Sequence, residues 1–268
     1  MIKDPKHGIS STLMMKTLLN LLILILFLPL HLLAENIGGY EVGQWQTASE
    51  DPTVQFKLTH SSTENCPKYV MEATLNASPE EVIIPIGDYA NYAAMGMPRT
   101  YESLLLHHYD TESLQWIAGK QNPTPIALNH VPLSIVKLSL NIPWLPDTHY
   151  TLLLATVRNP ETRVIYAPWI LYDKENFDHI SGSWLSKAPI PYYENFFGNF
   201  VQKSEYPSTL YDLYGSWQLE PIGENQTLIH YENYVDPGWM GRRFMGTIVQ
   251  STLQDMVKII AVIRNHLP

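Results

Sequence analysis

The clearest alternation of apolar and polar residues lies near the C-terminal end of the chain. It runs over residues 211–220 and again over residues 227–235. A period of two predicts β-strands with one buried side and one solvent-facing side. Because Pro221 and the turn-forming segment 223–225 separate the two runs, we predict a hairpin whose first strand ends at Pro221.

After Met240 the period of the apolar residues changes from two to 3.6, and no proline interrupts the pattern before Pro268. On a helical wheel one stripe contains Met245, Ile248, Val249, Thr252, Leu253, Met256, Ile259, Ile260, Ile263 and Leu267. The stripe predicts an amphipathic helix over residues 240–267, about 40 Å long. Its apolar side needs a sheet to pack against.

Helix signals also occur earlier, in residues 78–95. Ser78 is a good N-cap residue, Pro79 suits the first helical position, and Glu80 and Glu81 favour the positive end of a helix dipole. Since Pro85 and Gly87 interrupt the segment, it predicts two short helices. Asp88, in the same segment, is expected to be a solvated helix residue rather than a catalytic acid.

The remaining segments predict strands joined by turns. A strand near the sheet edge is expected at residues 53–59 and a second at 69–75. We predict a strand, a turn at 107–112 and a strand over residues 101–117, followed by a long loop at 119–132. Further strands are expected at residues 131–142, 148–158, 162–172, 183–189 and 192–202. About seven to nine strands with few helices indicate an α+β fold built on an antiparallel sheet.

Three C-terminal segments then suggest a family. Residues 215–221 (GSWQLEP), 227–231 (TLIHY) and 236–238 (DPG) before a long terminal helix resemble the closing part of START-like proteins of the polyketide cyclase/dehydrase and lipid transport superfamily. The resemblance implies a helix-grip fold, in which a curved antiparallel sheet wraps a long C-terminal helix and encloses an apolar cavity. One departure is that Thr148 and His149 stand where relatives often have an Arg-Asp pair, so an internal salt bridge there is not expected.

The first 34 residues differ in composition from the rest. Three lysines precede the apolar run 18–33, and Ala34 then precedes Glu35. This pattern predicts a secretory signal that is cleaved after Ala34, leaving an exported domain, periplasmic or secreted, over residues 35–268. If it stayed uncleaved, the run would anchor the protein, because it is close to the minimum of about 17 residues for a membrane span. Pro29 and His31 disfavour that alternative.

Charge and cysteine content narrow the partners and the kinds of site. Without residues 1–34 the chain has 14 basic and 25 acidic residues, a net charge near −11. Such acidity argues against nucleic acid and anionic membrane as partners, while a transient membrane contact and the oligomeric state stay open. Cys66 is the only cysteine, so an intrachain disulfide and a cysteine zinc site are both excluded.

No motif for catalysis or for a cofactor stands out. The ten histidines show no metal-binding spacing, and no serine lies in a nucleophile elbow. We therefore predict no metal, no cofactor and no catalytic residue. Aromatic residues are abundant, with seven Trp, sixteen Tyr and seven Phe. They suit an apolar pocket, although a large antiparallel sheet is rich in aromatics in any case.

The candidate ligand-binding residues are the strand aromatics and helix residues that could face inward: Trp184, Tyr193, Tyr211, Trp217, Tyr231, Met245, Val249 and Met256. The sequence favours binding of a lipid or other apolar small molecule in a cavity. Transport of that ligand is a further hypothesis. One alternative is a cyclase- or hydrolase-type enzyme that uses the same cavity with Tyr or His as acid or base. Another is a protein-interaction module whose core is filled by its own side chains.

Overall fold

A computed structural model describes residues 36–61, 64–109, 133–142, 148–159, 161–172 and 209–268. The strands are β1 (Asn36–Ile37), β2 (Tyr40–Glu41), β3 (Gln46–Thr47), β4 (Val54–Thr59), β5 (Lys68–Leu75), β6 (Thr100–Tyr109), β7 (Leu133–Leu140), β8 (Thr148–Ala155), β9 (Val157–Arg158), β10 (Ile165–Leu171), β11 (Asp212–Gly223) and β12 (Gln226–Asp236). The helices are α1 (Pro79–Gly87), a 3₁₀ turn (Tyr89–Asn91), α2 (Tyr92–Met95), α3 (Gly238–Arg242) and α4 (Met245–Asn265).

One antiparallel sheet of ten strands dominates the described part of the chain. Its order is β3-β4-β5-β12-β11-β10-β8-β7-β6, and the short β9 pairs with β10 beside β8. The C-terminal hairpin β11–β12 lies in the middle of this sheet, since β12 pairs with β5 and β11 pairs with β10. The α+β fold class that the sequence predicts is therefore confirmed.

The hairpin has the predicted pairing but a longer first strand. Trp217 lies opposite Tyr231 and Leu219 opposite Ile229. The prediction that Pro221 ends the first strand is wrong, because β11 continues to Gly223 with a shift in register between these two residues. Proline lacks an N–H group, and it is tolerated in a sheet where the regular ladder is interrupted in this way.

The expected solvent-facing side of β11 is also buried over part of its length, which corrects the prediction of one wet side. Tyr214 and Ser216 are buried there. The Tyr214 ring stacks on Tyr234 with 4.8 Å between ring centroids, and its hydroxyl donates to Glu64. Lys68 Nζ lies 3.0 Å from the same Glu64 carboxylate. A polar cluster therefore covers this side of the strand.

Helix α1 begins as the sequence predicts. Ser78 Oγ accepts a hydrogen bond from Glu81 N at 3.3 Å, and the Glu81 carboxylate accepts one from Ser78 N at 2.8 Å. This reciprocal capping box satisfies two donors that the first helical turn leaves open. The predicted split at Pro85 is wrong, because this buried proline lies inside α1 and the break follows Gly87. The 3₁₀ turn and α2 complete the predicted helical segment.

The C-terminal segment forms two helices instead of the single predicted one. Helix α3 ends at Arg242 and α4 begins at Met245, with Phe244 in a non-helical conformation at φ −107° and ψ 18°. The apolar stripe of α4 is buried as expected, including Val249, Ile260 and Ile263. It packs against α1, β4 and β5, over a length of about 31 Å.

Strand β6 corrects another prediction, since it continues through His107 and His108, where a turn is expected, and pairs with β7. The predicted second strand at 114–117, the loop at 119–132 and the strands at 183–189 and 192–202 lie outside the described residues. Within the described ranges, no helix is both long and apolar enough to cross a membrane.

Candidate ligand pocket

A pocket of about 200 Å³ lies between α4 and the inner side of the sheet. Most of the side chains around it are apolar and come from strands that are distant in sequence. The wall residues from the sheet include Leu138 on β7, Tyr150, Leu152 and Leu154 on β8, Trp169 on β10, Leu213 and Trp217 on β11, and Tyr231, Asn233 and Val235 on β12. Helix α4 contributes Ile248, Ser251, Thr252, Asp255, Met256 and Ile259.

Three aromatic rings form one wall of the pocket. The ring centroids of Trp217 and Tyr231 are 4.3 Å apart, and those of Trp169 and Tyr231 are 5.6 Å apart. Trp169 lies opposite Gly215 across the β10–β11 pair. A Cβ atom at position 215 would lie 2.5 Å from Cζ2 of Trp169, so only glycine leaves room for the indole ring there. Gly215 therefore leaves the space that this aromatic wall needs.

Four of the described tyrosines line the pocket: Tyr89, Tyr92, Tyr150 and Tyr231. Burial raises the pKa of each phenol, and the pKa of Tyr92 is raised further by the neighbouring phenols. The phenols therefore keep their protons at neutral pH and act as hydrogen-bond donors rather than as bases. The Tyr92 hydroxyl donates to the Ile86 carbonyl oxygen, while the Tyr89 hydroxyl has no partner among the described residues.

Arg99 and Asp255 are the charged residues that the described chain places on the pocket wall. Arg99 lies in the segment between α2 and β6, in a left-handed conformation with φ of 59°. Its Nε donates to the carboxylate of Asp255 on α4, which also has Lys258 Nζ at 3.7 Å. The ion pair thus joins the segment before β6 to the C-terminal helix and compensates both charges on the wall.

The structure brings together some of the sequence-predicted site residues. Trp217, Tyr231 and Met256 line the pocket. Val249 is fully buried in the core next to it, and Met245 is half-buried against the same core. Neither of these two reaches the pocket surface, while Trp184 and Tyr193 lie outside the described residues.

Tyr211 is also away from the pocket, with 67% of its surface exposed. It directly precedes β11, so the alternation within the strand does not govern its direction. The sequence reasoning missed Tyr150 and Trp169, which line the pocket. The sequence pattern could have indicated both residues. Tyr150 is two positions from Leu152 on β8, and Trp169 is two positions from Leu171 on β10, so each shares the inward side of its strand with a core leucine.

The described part of the chain contains no group of three or more His, Cys, Asp or Glu residues placed to hold a metal ion. No histidine occurs among the described residues that line the pocket. Asp88 lies outside it, where its carboxylate accepts a hydrogen bond of 2.9 Å from the Asn91 side chain. The chemistry that the pocket offers is apolar contact together with a few neutral hydrogen-bonding groups.

The sequence matches neither a protein-family model nor a curated protein. Solved structures do resemble it. The STAR-related lipid transfer protein from Xanthomonas axonopodis is 14% identical, with a TM-score of 0.51 over 83% of this chain and 98% of that chain. Human STARD10 is 10% identical, with a TM-score of 0.50 over 83% of this chain and 72% of that chain. The chain therefore has the START-like, helix-grip fold that its C-terminal segments predict.

Proposed function

We propose that this protein binds a lipid or another apolar small molecule in the pocket between α4 and the sheet. The observation that supports this most directly is the wall formed by Trp169, Trp217 and Tyr231 opposite Met256 of α4. Rigid aromatic rings facing a flexible thioether side chain suit an apolar ligand whose shape varies. The similar fold of proteins named for lipid transfer supports the same function.

The volume of the pocket indicates how much of a lipid it takes. A protein cavity of about 150 Å³ is known to hold the six carbon atoms of one benzene molecule, so a pocket of about 200 Å³ has room for about eight carbon atoms. This is one segment of an acyl chain or a small ring system rather than a whole phospholipid. We expect the rest of a larger ligand to extend beyond the described wall.

Two observations favour binding over the alternatives. Buried phenols that retain their protons do not supply the base that a cyclase- or hydrolase-type mechanism needs, and the described wall contains no histidine. A protein-interaction module with a core filled by its own side chains would leave no pocket beside α4.

Native mass spectrometry of the purified protein tests the proposal. We expect co-purified lipid that dissociates on unfolding, and we expect the protein stripped of lipid to take up the neutral dye Nile red with one site. A protein that carries no small molecule and leaves the dye fluorescence unchanged would refute the proposed function.

Carriage would require the ligand to leave a membrane, and one exposed patch suits that step. Tyr211, Trp239 and Phe244 are 67%, 66% and 44% exposed around α3. The guanidinium carbon of Arg242 lies 5.8 Å from the Tyr211 ring centroid, and that of Arg243 lies 5.2 Å from the Trp239 ring centroid. Aromatic rings prefer the interface of a bilayer, and an arginine such as Arg243 can pair with lipid phosphates, whereas Arg242 is already paired with Asp236.

We propose that this aromatic patch touches a zwitterionic bilayer, because the acidic chain would be repelled by an anionic one. Leu210 and Pro237, which line the pocket, are chain neighbours of Tyr211 and Gly238 in this region. Co-sedimentation with phosphatidylcholine vesicles should therefore fall in Trp239→Ala. The control is Trp45→Ala, which removes another partly exposed indole outside the patch. Equal vesicle binding by both variants would contradict the proposal.

The apolar run 18–33 leads us to propose that the carrier acts outside the cytoplasm. The mature protein should begin at Glu35, and mass analysis of exported protein tests this. Retention of the run 18–33 would contradict cleavage.

A further inference from the structure

Two buried polar atoms on the pocket wall lack a hydrogen-bond partner among the described residues: the Tyr89 hydroxyl and Oδ1 of Asn233. Tyr89 is only 7% exposed, and its ring is held against Tyr92 with 5.1 Å between ring centroids. A buried polar group without a partner is unfavourable, and native proteins contain few of them. These two therefore indicate where a ligand supplies the missing partner.

The two atoms have complementary requirements. The Tyr89 phenol keeps its proton because burial raises its pKa, so it requires an acceptor. Oδ1 of Asn233 is an amide oxygen, so it requires a donor. A hydroxyl group can both donate and accept a hydrogen bond, and it is the simplest ligand group that suits either atom.

The charges on the wall limit the ligand in a second way. Arg99 and Asp255 are paired with each other, and Lys258 approaches the same carboxylate at 3.7 Å. The described wall therefore offers no uncompensated charge to a carboxylate or phosphate headgroup. Burying such a group without a counter-charge is strongly unfavourable.

We propose that the natural ligand is an uncharged amphiphile with a hydroxyl group, bound with its polar end at Tyr89 or Asn233 and its apolar part against the aromatic wall. This inference rests on the proposed function, because it names the chemical class of the ligand for the same pocket. It distinguishes the protein from a carrier of free fatty acids.

Displacement of Nile red by three ligands of similar size tests the inference. The ligands are 1-decanol, its isomer methyl nonyl ether, which accepts but does not donate a hydrogen bond, and decanoate at pH 8. We expect 1-decanol to displace the dye at the lowest concentration and decanoate at a concentration at least tenfold higher. If the ligand hydroxyl lies at Tyr89, Tyr89→Phe should weaken binding of both the alcohol and the ether about fivefold, because each loses one neutral hydrogen bond.

If the hydroxyl lies at Asn233 instead, Asn233→Leu should weaken binding of the alcohol about fivefold and leave the ether unaffected. The comparison of 1-decanol with decanoate still tests the inference if Tyr89→Phe does not fold. Tyr101→Phe is the matched control, since Tyr101 is 54% exposed on β6 and does not line the pocket. Decanoate binding as tightly as 1-decanol, or unchanged alcohol affinity in both pocket variants, would overturn the inference while leaving the proposed function intact. Failure of the dye itself to bind would overturn both.

Discussion

Gly215 is the position where a single added methyl group should have the largest effect. A Cβ atom there would lie 2.3 Å from the backbone oxygen of Glu232 and 2.5 Å from Cζ2 of Trp169. The oxygen belongs to the central β11–β12 pair, and the indole is buried against Trp217 and Tyr231. Neither neighbour can move without disturbing the centre of the sheet.

The expected cost of Gly215→Ala follows from these contacts. Overpacking a tight core costs about 1–3 kcal/mol and occasionally more, and two contacts this short place the effect at the upper end. Replacing glycine by alanine also reduces the entropy of the unfolded chain, which offsets about 0.4–1 kcal/mol. We expect a net loss of about 2–3 kcal/mol in the free energy of unfolding. For a chain of this size that corresponds to a fall in Tm of about 4–12 °C.

Thermal unfolding followed by circular dichroism measures the effect. The matched control is Gly223→Ala in the same strand, where the nearest atom to the new Cβ is 3.7 Å away, so its Tm should stay within about 2 °C of wild type. In a Trp169→Leu background, Gly215→Ala should cost less than it does in the wild type, but it should still destabilise, because the contact with the Glu232 oxygen remains. A Gly215→Ala Tm equal to that of the control would refute the inward position of Gly215.

Three further predictions concern the helix, an ion pair and the cysteine. Met256→Trp should fill the pocket and lower Nile red affinity at least tenfold without loss of the circular dichroism signal, so unchanged dye uptake by the folded variant would contradict the pocket. Burial raises the pKa of Asp236, but hydrogen bonds from Arg242 and the Gly238 N–H outweigh it and lower the pKa overall. The pair should therefore stabilise the fold above about pH 4 and lose this effect in acid, so Asp236→Asn should cost about 3 kcal/mol at pH 7 and much less near pH 2 in urea unfolding. If Asp236→Asn lowered the free energy of unfolding equally at both pH values, the charge of Asp236 would not contribute to stability. Burial first, and then the charge of Asp236, raise the pKa of Cys66 to about 12, so iodoacetamide should label the thiol at pH 8 only after unfolding. Rapid labelling of the native protein would contradict this.

Much of the fold was predictable because buried positions recur at a fixed spacing along each strand or helix. The alternation in β11 and β12 and the stripe on α4 are local patterns, each produced by one side facing the core. The break between α3 and α4 was not predictable in this way. It depends on the backbone conformation of Phe244, and no proline marks it in the sequence.

The pocket was less predictable because it depends on which strands are neighbours. Trp217 and Met256 follow from the local patterns around them. Trp169 does not, because it contributes to the wall through the pairing of β10 with β11, and its register opposite Gly215 is a tertiary property. The same holds for Arg99, whose partner Asp255 lies far along the chain.

The central position of the C-terminal hairpin has a consequence for how the chain folds. In the described sheet, β3–β5 and β6–β10 are joined only through β11 and β12, which are made after all the other strands. Until residues 212–236 are available, β5 and β10 are open edges that can pair with other chains. The described sheet is therefore complete only after residues 212–236 have been synthesised. Because this step brings together residues far apart in sequence, insertion of the hairpin between β5 and β10 is expected to limit the rate of folding.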